Sequence, residues 1–254
     1  WSGVSDGGAT GVGTSELRVD RSVFENPGDM LDWRILDNAV VNDIDLDVVV
    51  STSATLPDSP TDGSFLINVD GDVDINASVD TAGSDFTVMA GGTISGAGLV
   101  TAATVDLDAA TGITANLAAT TITADNSTSG AVDIDNAQAG AVTVTTLTTA
   151  GGGTILFENT GAGGVSFGTV STTTDGTAAI GEDDITLSSD GGDLTITTSV
   201  TADGMGDITL NTTTSGNVIL TGTTTAAGDQ VTVNSIGAIN GAGLVTASVV
   251  DLNA

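Results

Sequence analysis

Gly96-Ala-Gly-Leu-Val-Thr-Ala102 recurs unchanged as Gly241-Ala-Gly-Leu-Val-Thr-Ala247, and Val105-Asp-Leu-Asp-Ala109 returns in step as Val250-Asp-Leu-Asn-Ala254. The whole of Gly71–Ala109 lies on Gly216–Ala254 without a gap, with roughly half of the positions identical. A close copy in a chain made largely of Thr, Gly, Ala, Val and Asp marks an array of stacked units.

A shorter period sits inside the long one. Asp184-Ile-Thr-Leu187 reappears as Asp207-Ile-Thr-Leu210, 23 residues on, and Gly192-Asp-Leu-Thr-Ile196 is echoed by Gly216-Asn-Val-Ile-Leu220. The same template places Val132, Ile134, Gly140, Val142, Val144 and Leu147 in one unit. In the next it places Ile155, Phe157, Gly163, Val165, Phe167 and Val170. Apolar residues at i and i+2 share one face of a strand. Gly, Ser, Asn and Asp between the pairs supply the bends. No 3.6-residue stripe persists, and Thr, Val, Ile and Gly disfavour helix.

A unit of about 23 residues cannot bury its apolar face alone, but a stack of such units can. An antiparallel sandwich has no need of the same register on every turn. A parallel β-helix does, because equivalent residues stack one strand spacing apart. The expected fold is therefore all-β: a right-handed parallel β-helix (β-solenoid) of about 23-residue coils with an N-terminal capping block. From Ser64 to Ala254 there is room for roughly eight coils, a rod on the order of 40 Å long.

Residues 1–60 differ in texture and read as an N-terminal cap or docking segment, and residues 61–254 as the repeat region. Trp1–Ser15 is Gly/Ser-rich. Glu16–Pro57 holds Phe24, Met30, Trp33 and all three arginines, and lacks the template. Asn26–Asp29 reads as a turn, Asn42–Val50 as a strand carrying Asp43, Asp45 and Asp47, and Pro57–Gly63 as a boundary loop. The wider spacing near Ser171–Asp183 predicts a loop insertion. The last repeat match runs to Ala254, so the repeat is expected to continue in further chain or to join another subunit there.

The formal net charge is −30, from 33 acidic residues against three basic ones, Arg18, Arg21 and Arg34. Binding of nucleic acid by phosphate neutralisation is not expected, nor is docking on anionic lipid. There is no Cys, His, Tyr or Lys, which removes disulfides and thiolate or imidazole metal sites. No apolar run approaches the roughly 18 residues of a membrane-spanning helix, so membrane insertion is not expected.

Asp70, Asp72 and Asp74 alternate within Asn68–Asn76 and would share one face of a strand, which makes them candidate calcium ligands. The EF-hand pattern fails because Ile75 stands where that loop needs Gly. A solvated acidic face is the plainer reading, as it is for Asp106/Asp108 and Asp133/Asp135. Calcium is the one ion the acidic residues suit, and no cofactor is expected. Paired acids can cleave glycosidic bonds, but nothing sets two of them apart as a site, so no catalytic residue is assigned. Thr-x-Thr occurs at Thr121–Thr123, Thr143–Thr145 and Thr195–Thr197. Ladders of such triplets are how some solenoids bind ice, but Val218-Ile-Leu220 breaks the series in the next coil. Asn76, Asn126 and Asn211 head Asn-x-Ser/Thr acceptor patterns.

Four phrases, Gly192-Asp-Leu-Thr-Ile196, Gly206-Asp-Ile-Thr-Leu210, Val88-Met-Ala-Gly-Gly-Thr-Ile-Ser-Gly96 and Val105-Asp-Leu-Asp-Ala-Ala-Thr-Gly112, give Phe65–Ala254 a repeat style that resembles filamentous-haemagglutinin-type bacterial surface proteins. The resemblance implies a secreted, right-handed β-helix at the bacterial cell surface, a stalk or fibre that mediates adhesion or cell–cell contact through a surface glycan or receptor. The unit here is longer than that family's usual coil, and its secretion domain is not recognisable in Trp1–Pro60. Two other readings stand beside it. One is a self-assembling extracellular filament subunit joined end to end with further copies of itself. The other is a carbohydrate-active β-helix enzyme. The polysaccharide lyases of this fold lean on basic or Tyr side chains, and after Arg34 there are none.

Overall fold

The computed structural model describes residues 32–36, 44–46, 50–51, 64–81, 83–173 and 182–254, with side chains from Ser64 onward apart from Ala227 and Gly228. The expected turn at Asn26–Asp29, the boundary loop at Pro57–Gly63 and most of the predicted insertion after Ser171 lie outside the described residues.

Strands and bends alternate through the described residues, with no helix and so none long and apolar enough to cross a membrane. Every pairing is parallel and joins a strand to its counterpart one coil away, which makes the fold a parallel β-solenoid. In the lower coils one turn is three strands, as in Val73–Ile75, Val79–Asp80 and Asp85–Ala90. Higher up, a short strand such as Val132–Asn136 alternates with a long one such as Val142–Thr149. The long strand changes phase part-way: Val142 and Val144 are buried, and then Leu147 and Thr149. That three-residue step is the template's lone apolar position.

Two register columns run through the stack, their side chains buried from Val73 to Val231 in one and from Ile67 to Thr224 in the other. One is Ile44, Val73, Ile94, Ile113, Val132, Ile155, Ile185, Ile208, Val231 and Val250. The other runs from Ile35 through Ile67, Val88, Leu107, Ala124, Leu147, Val170, Val200 and Thr224 to Val245. From Val73 to Val231 the first column is essentially fully buried. Each Val, Leu or Ile so buried contributes about 1.5–3 kcal/mol. The interior is narrow enough for side chains of opposite walls to meet: Phe157 and Phe167 pack edge to face, 5.2 Å between ring centres.

Two features add to the sequence reading. Asp32–Leu36, within the block that lacks the template, pairs in register with Ser64–Asn68, and Ile44–Leu46 with Val73–Ile75. Among the described residues the ladder thus reaches back to Asp32, ahead of Phe65. Coil length is also uneven: 19 residues from Ile113 to Val132, 23 from Ile185 to Ile208, and 30 from Ile155 to Ile185.

The long repeat meets this unevenness in a specific way. Ile94 lies in the first column, whereas its copy Ile239 pairs with Val218 on another wall, and the copy that lies in the first column is Val250, the counterpart of Val105. The second copy is therefore turned one strand around the axis. Every wall asks for the same pattern, inward apolar residues closed by a bend, so a duplicated segment fits whichever wall it falls on. Local geometry is kept: Gly96 and Gly241 have φ of 118° and 120°, and a Cβ on either would strike the backbone carbonyl of the coil beneath, at Ile75 and Leu220.

Candidate functional surfaces

The Asp of the Gly-Asp-apolar phrases stands at a corner, one residue before the first inward side chain of a strand. There its carboxylate accepts the backbone N–H of the equivalent residue one coil above. Asp184 accepts from Asp207 at 2.8 Å and Asp207 from Gln230 at 2.9 Å. Asp193 accepts from the backbone of Asn217 at 2.7 Å and from its side-chain amide at 3.0 Å. Asn217 then accepts from Ala238 at 2.8 Å. The carbonyls of Asp207 and Asn217 meanwhile accept the N–H of Ile185 and Leu194 beneath. Both backbone groups of the corner residue are thereby satisfied.

This corner role also claims part of the proposed calcium triad. Asp72 accepts the N–H of Thr93 at 2.7 Å, and Asp74 accepts the hydroxyl of Ser95. A bend at Asp70–Gly71 ends the strand Ser64–Val69, so Asp70, Asp72 and Asp74 do not share one strand face as the alternation predicted. Asp70 instead borders a groove with Asp108 and Asp125. Among the described residues no three acidic side chains come together as a metal-holding group.

That groove has a volume of about 410 Å³ and is open to solvent, with Asn68, Met89 and Ser127 along it. Burial holds the Asp106 carboxyl above its usual range. Asp108 is raised too, first by burial and then by the charges of Asp106 and Asp125. Asp108 and Asp125 are register partners on successive coils, and Asp125 accepts the hydroxyl of Thr148 above it. A second acidic patch lies on the other wall. There Asp133 is raised by burial and by Asp135, and Glu158 by burial, Asp190 and Asp135 in that order. At the upper corner Asp229 is raised chiefly by sharing a hydrogen bond with Asp207.

The three Asn-x-Ser/Thr patterns part company. Asn126 is 1% exposed, and its amide donates to the carbonyls of Ser129 and Gly130 and to the Thr149 hydroxyl, so it serves the interior. Asn211 joins an outer amide ladder, with Asn234 donating to Asn211 at 2.9 Å and Asn253 to Asn234 at 3.0 Å.

One ordered surface escaped the sequence reading. Flanking the second inward column, the outward positions of successive coils are Thr146 and Thr148, Thr169 and Ser171, Ser199 and Thr201, Thr223 and Thr225. Thr246 continues the second of these columns. Thr143–Thr145 and Thr195–Thr197 start on the strand before the phase change, where Thr121, Thr143, Ser166 and Thr195 lead to Ile219, whereas Thr123 pairs with Thr146 at the foot of the first hydroxyl column. The signal that would have found the sustained array is the set Leu147, Val170, Val200 and Thr224, read for its neighbours on either side. Thr197 and Thr198 obscured it by adding a residue between Ile196 and Val200.

Comparison with protein-family models, with curated proteins and with solved structures finds no match to this chain.

Proposed function

We propose that this chain is a segment of an extracellular bacterial fibre, a stalk that carries contact surfaces away from the cell, in the style of the filamentous-haemagglutinin-type proteins its repeat phrases resemble. The observation that carries this reading is continuity. Two columns climb from the first described strands to the last coil, and the corner acids between coils are occupied in joining them. A chain organised in this way invests its polar residues in extension along one axis. Antibodies raised against the purified chain should label intact source cells without permeabilisation and should block their attachment to a receptive surface. Labelling only after permeabilisation would overturn the reading.

The charge of −30 keeps neighbouring rods apart unless cations screen it. Millimolar calcium should therefore raise light scattering relative to chelator, and no difference would count against lateral bundling.

End-to-end assembly is the second reading, and one observation favours it. The strand Val245–Asn253 hydrogen-bonds to the coil beneath, while Val250 and Leu252 within it and Leu244 just before it are 46–66% exposed. The mass of the native precursor decides: a much longer chain supports the stalk, and a chain of this size supports the filament subunit. A carbohydrate-active role would show as new reducing ends from acidic or neutral polysaccharides.

A further inference from the structure

We infer that the paired hydroxyl columns of the long strand form an ice-binding face. The two columns hold only Thr and Ser across four coils, from Thr146/Thr148 to Thr223/Thr225. They hold no charge, in a chain of 33 acidic residues. The acids return directly below, at Asp125 and then at Asp106 and Asp108. Elsewhere Thr hydroxyls serve the fold, as when Thr197 donates to the Phe167 carbonyl and Thr221 to that of Ile196. Among the described residues of these two columns, Thr148 alone donates its hydroxyl to a protein partner, Asp125. The others are left for whatever meets the face.

The spacing selects what that is. Along a column the repeat is the strand separation, about 4.8 Å, and across a pair it is two residues, about 6.7 Å. Water in a tetrahedral lattice with O···O of about 2.75 Å repeats at about 4.5 Å between second neighbours and about 7.3 Å along the hexagonal axis. The axial misfit, about 0.3 Å per step, reaches only about 1 Å over four coils. Each Thr offers the lattice a hydroxyl to join its hydrogen bonds and a methyl group to fill an open cage. A charged side chain would instead hold a disordered shell of its own, and none is present. The inner column fixes the array, since Leu147, Val170 and Val200 are fully buried between the paired residues. Ser171 and Ser199 are the places where the methyl is missing.

The test is the growth of a single ice crystal below its melting point in the presence of the purified chain. The expected result is faceted growth and a thermal hysteresis that rises with protein concentration. Thr201→Tyr, at the centre of the array, should lose most of that hysteresis. Thr209→Tyr, outward on the opposite wall, should retain it, with both variants keeping the wild-type melting temperature. The double variant S171T/S199T completes the methyl array and should exceed the wild type. Unfaceted growth with the wild type, equal loss in both tyrosine variants, or no gain from the double variant would each overturn the assignment. The inference stands independently of the fibre reading, because the assay needs neither cells nor assembly.

Discussion

At the residue scale the corner acids account for the Asp of the repeated Gly-Asp phrases. Asp193 gives its carboxylate to two donors of Asn217, and Asn217 does the same work one coil higher with an amide oxygen. The requirement is an acceptor of the right length, and the charge is incidental. Asp193→Ala should cost about 1–2 kcal/mol, a hydrogen bond to a partly exposed charged group. Asp193→Asn should cost little, and denaturant titration of the two variants separates length from charge. Thr224 is the opposite case. It occupies an inward position where its neighbours are Val200 and Val245, is 0% exposed, and has a hydroxyl with no partner. Thr224→Val keeps the shape and removes the unsatisfied group. We expect a gain of about 1 kcal/mol, which raises the melting temperature by about 2–4 °C in a domain of this size.

At the element scale, strands and bends were legible because stacking asks each coil for the same few residues. Val132, Ile134, Val142, Val144 and Leu147 were placed by spacing alone, and all are buried. The departures share a cause. Register here is set by the coil beneath, and a sequence read one unit at a time does not show which coil that is. Asp32–Leu36 joins the ladder without the template because its partner Ser64–Asn68 supplies the register. The hydroxyl columns were hidden by the extra residue at Thr197–Thr198. Asp70, Asp72 and Asp74 do not lie on one strand because a bend at Asp70–Gly71 interrupts the alternation. Bends are where coils approach most closely, and Gly96 shows it. With φ of 118° and the Ile75 carbonyl directly beneath, Gly96→Ala combines backbone strain with a backbone collision. We expect a loss of about 2 kcal/mol or more, measured by thermal unfolding.

At the scale of the whole molecule the acids oppose the fold that uses them. Asp106, Asp108, Asp133, Glu158 and Asp229 all have carboxyls raised above their ordinary values. A raised carboxyl binds its proton more tightly in the folded chain than in the unfolded one. Between the two pKa values the folded state carries more protons, so unfolding becomes easier as pH rises. The stabilising contribution is present below the unfolded value of about 4 and is lost as pH climbs through the folded values. The melting temperature should therefore fall as pH is raised from about 4 toward 7 at equal ionic strength. Added salt should recover part of the loss at pH 7. A melting temperature that rises over that range would contradict these shifts.

The uneven coils have a consequence under tension. All the ladder hydrogen bonds join one coil to the next, so a pull along the axis loads them in series, and the rod gives way by shedding turns from an end. Each released turn becomes extended chain at about 3.4 Å per residue. The 19-residue turn from Ile113 to Val132 then frees roughly 65 Å, and the 30-residue turn from Ile155 to Ile185 roughly 100 Å. A single rod stretched between two surfaces would yield in steps of unequal length, absorbing work at each one, and the order of those lengths would record where along the stack the break had reached.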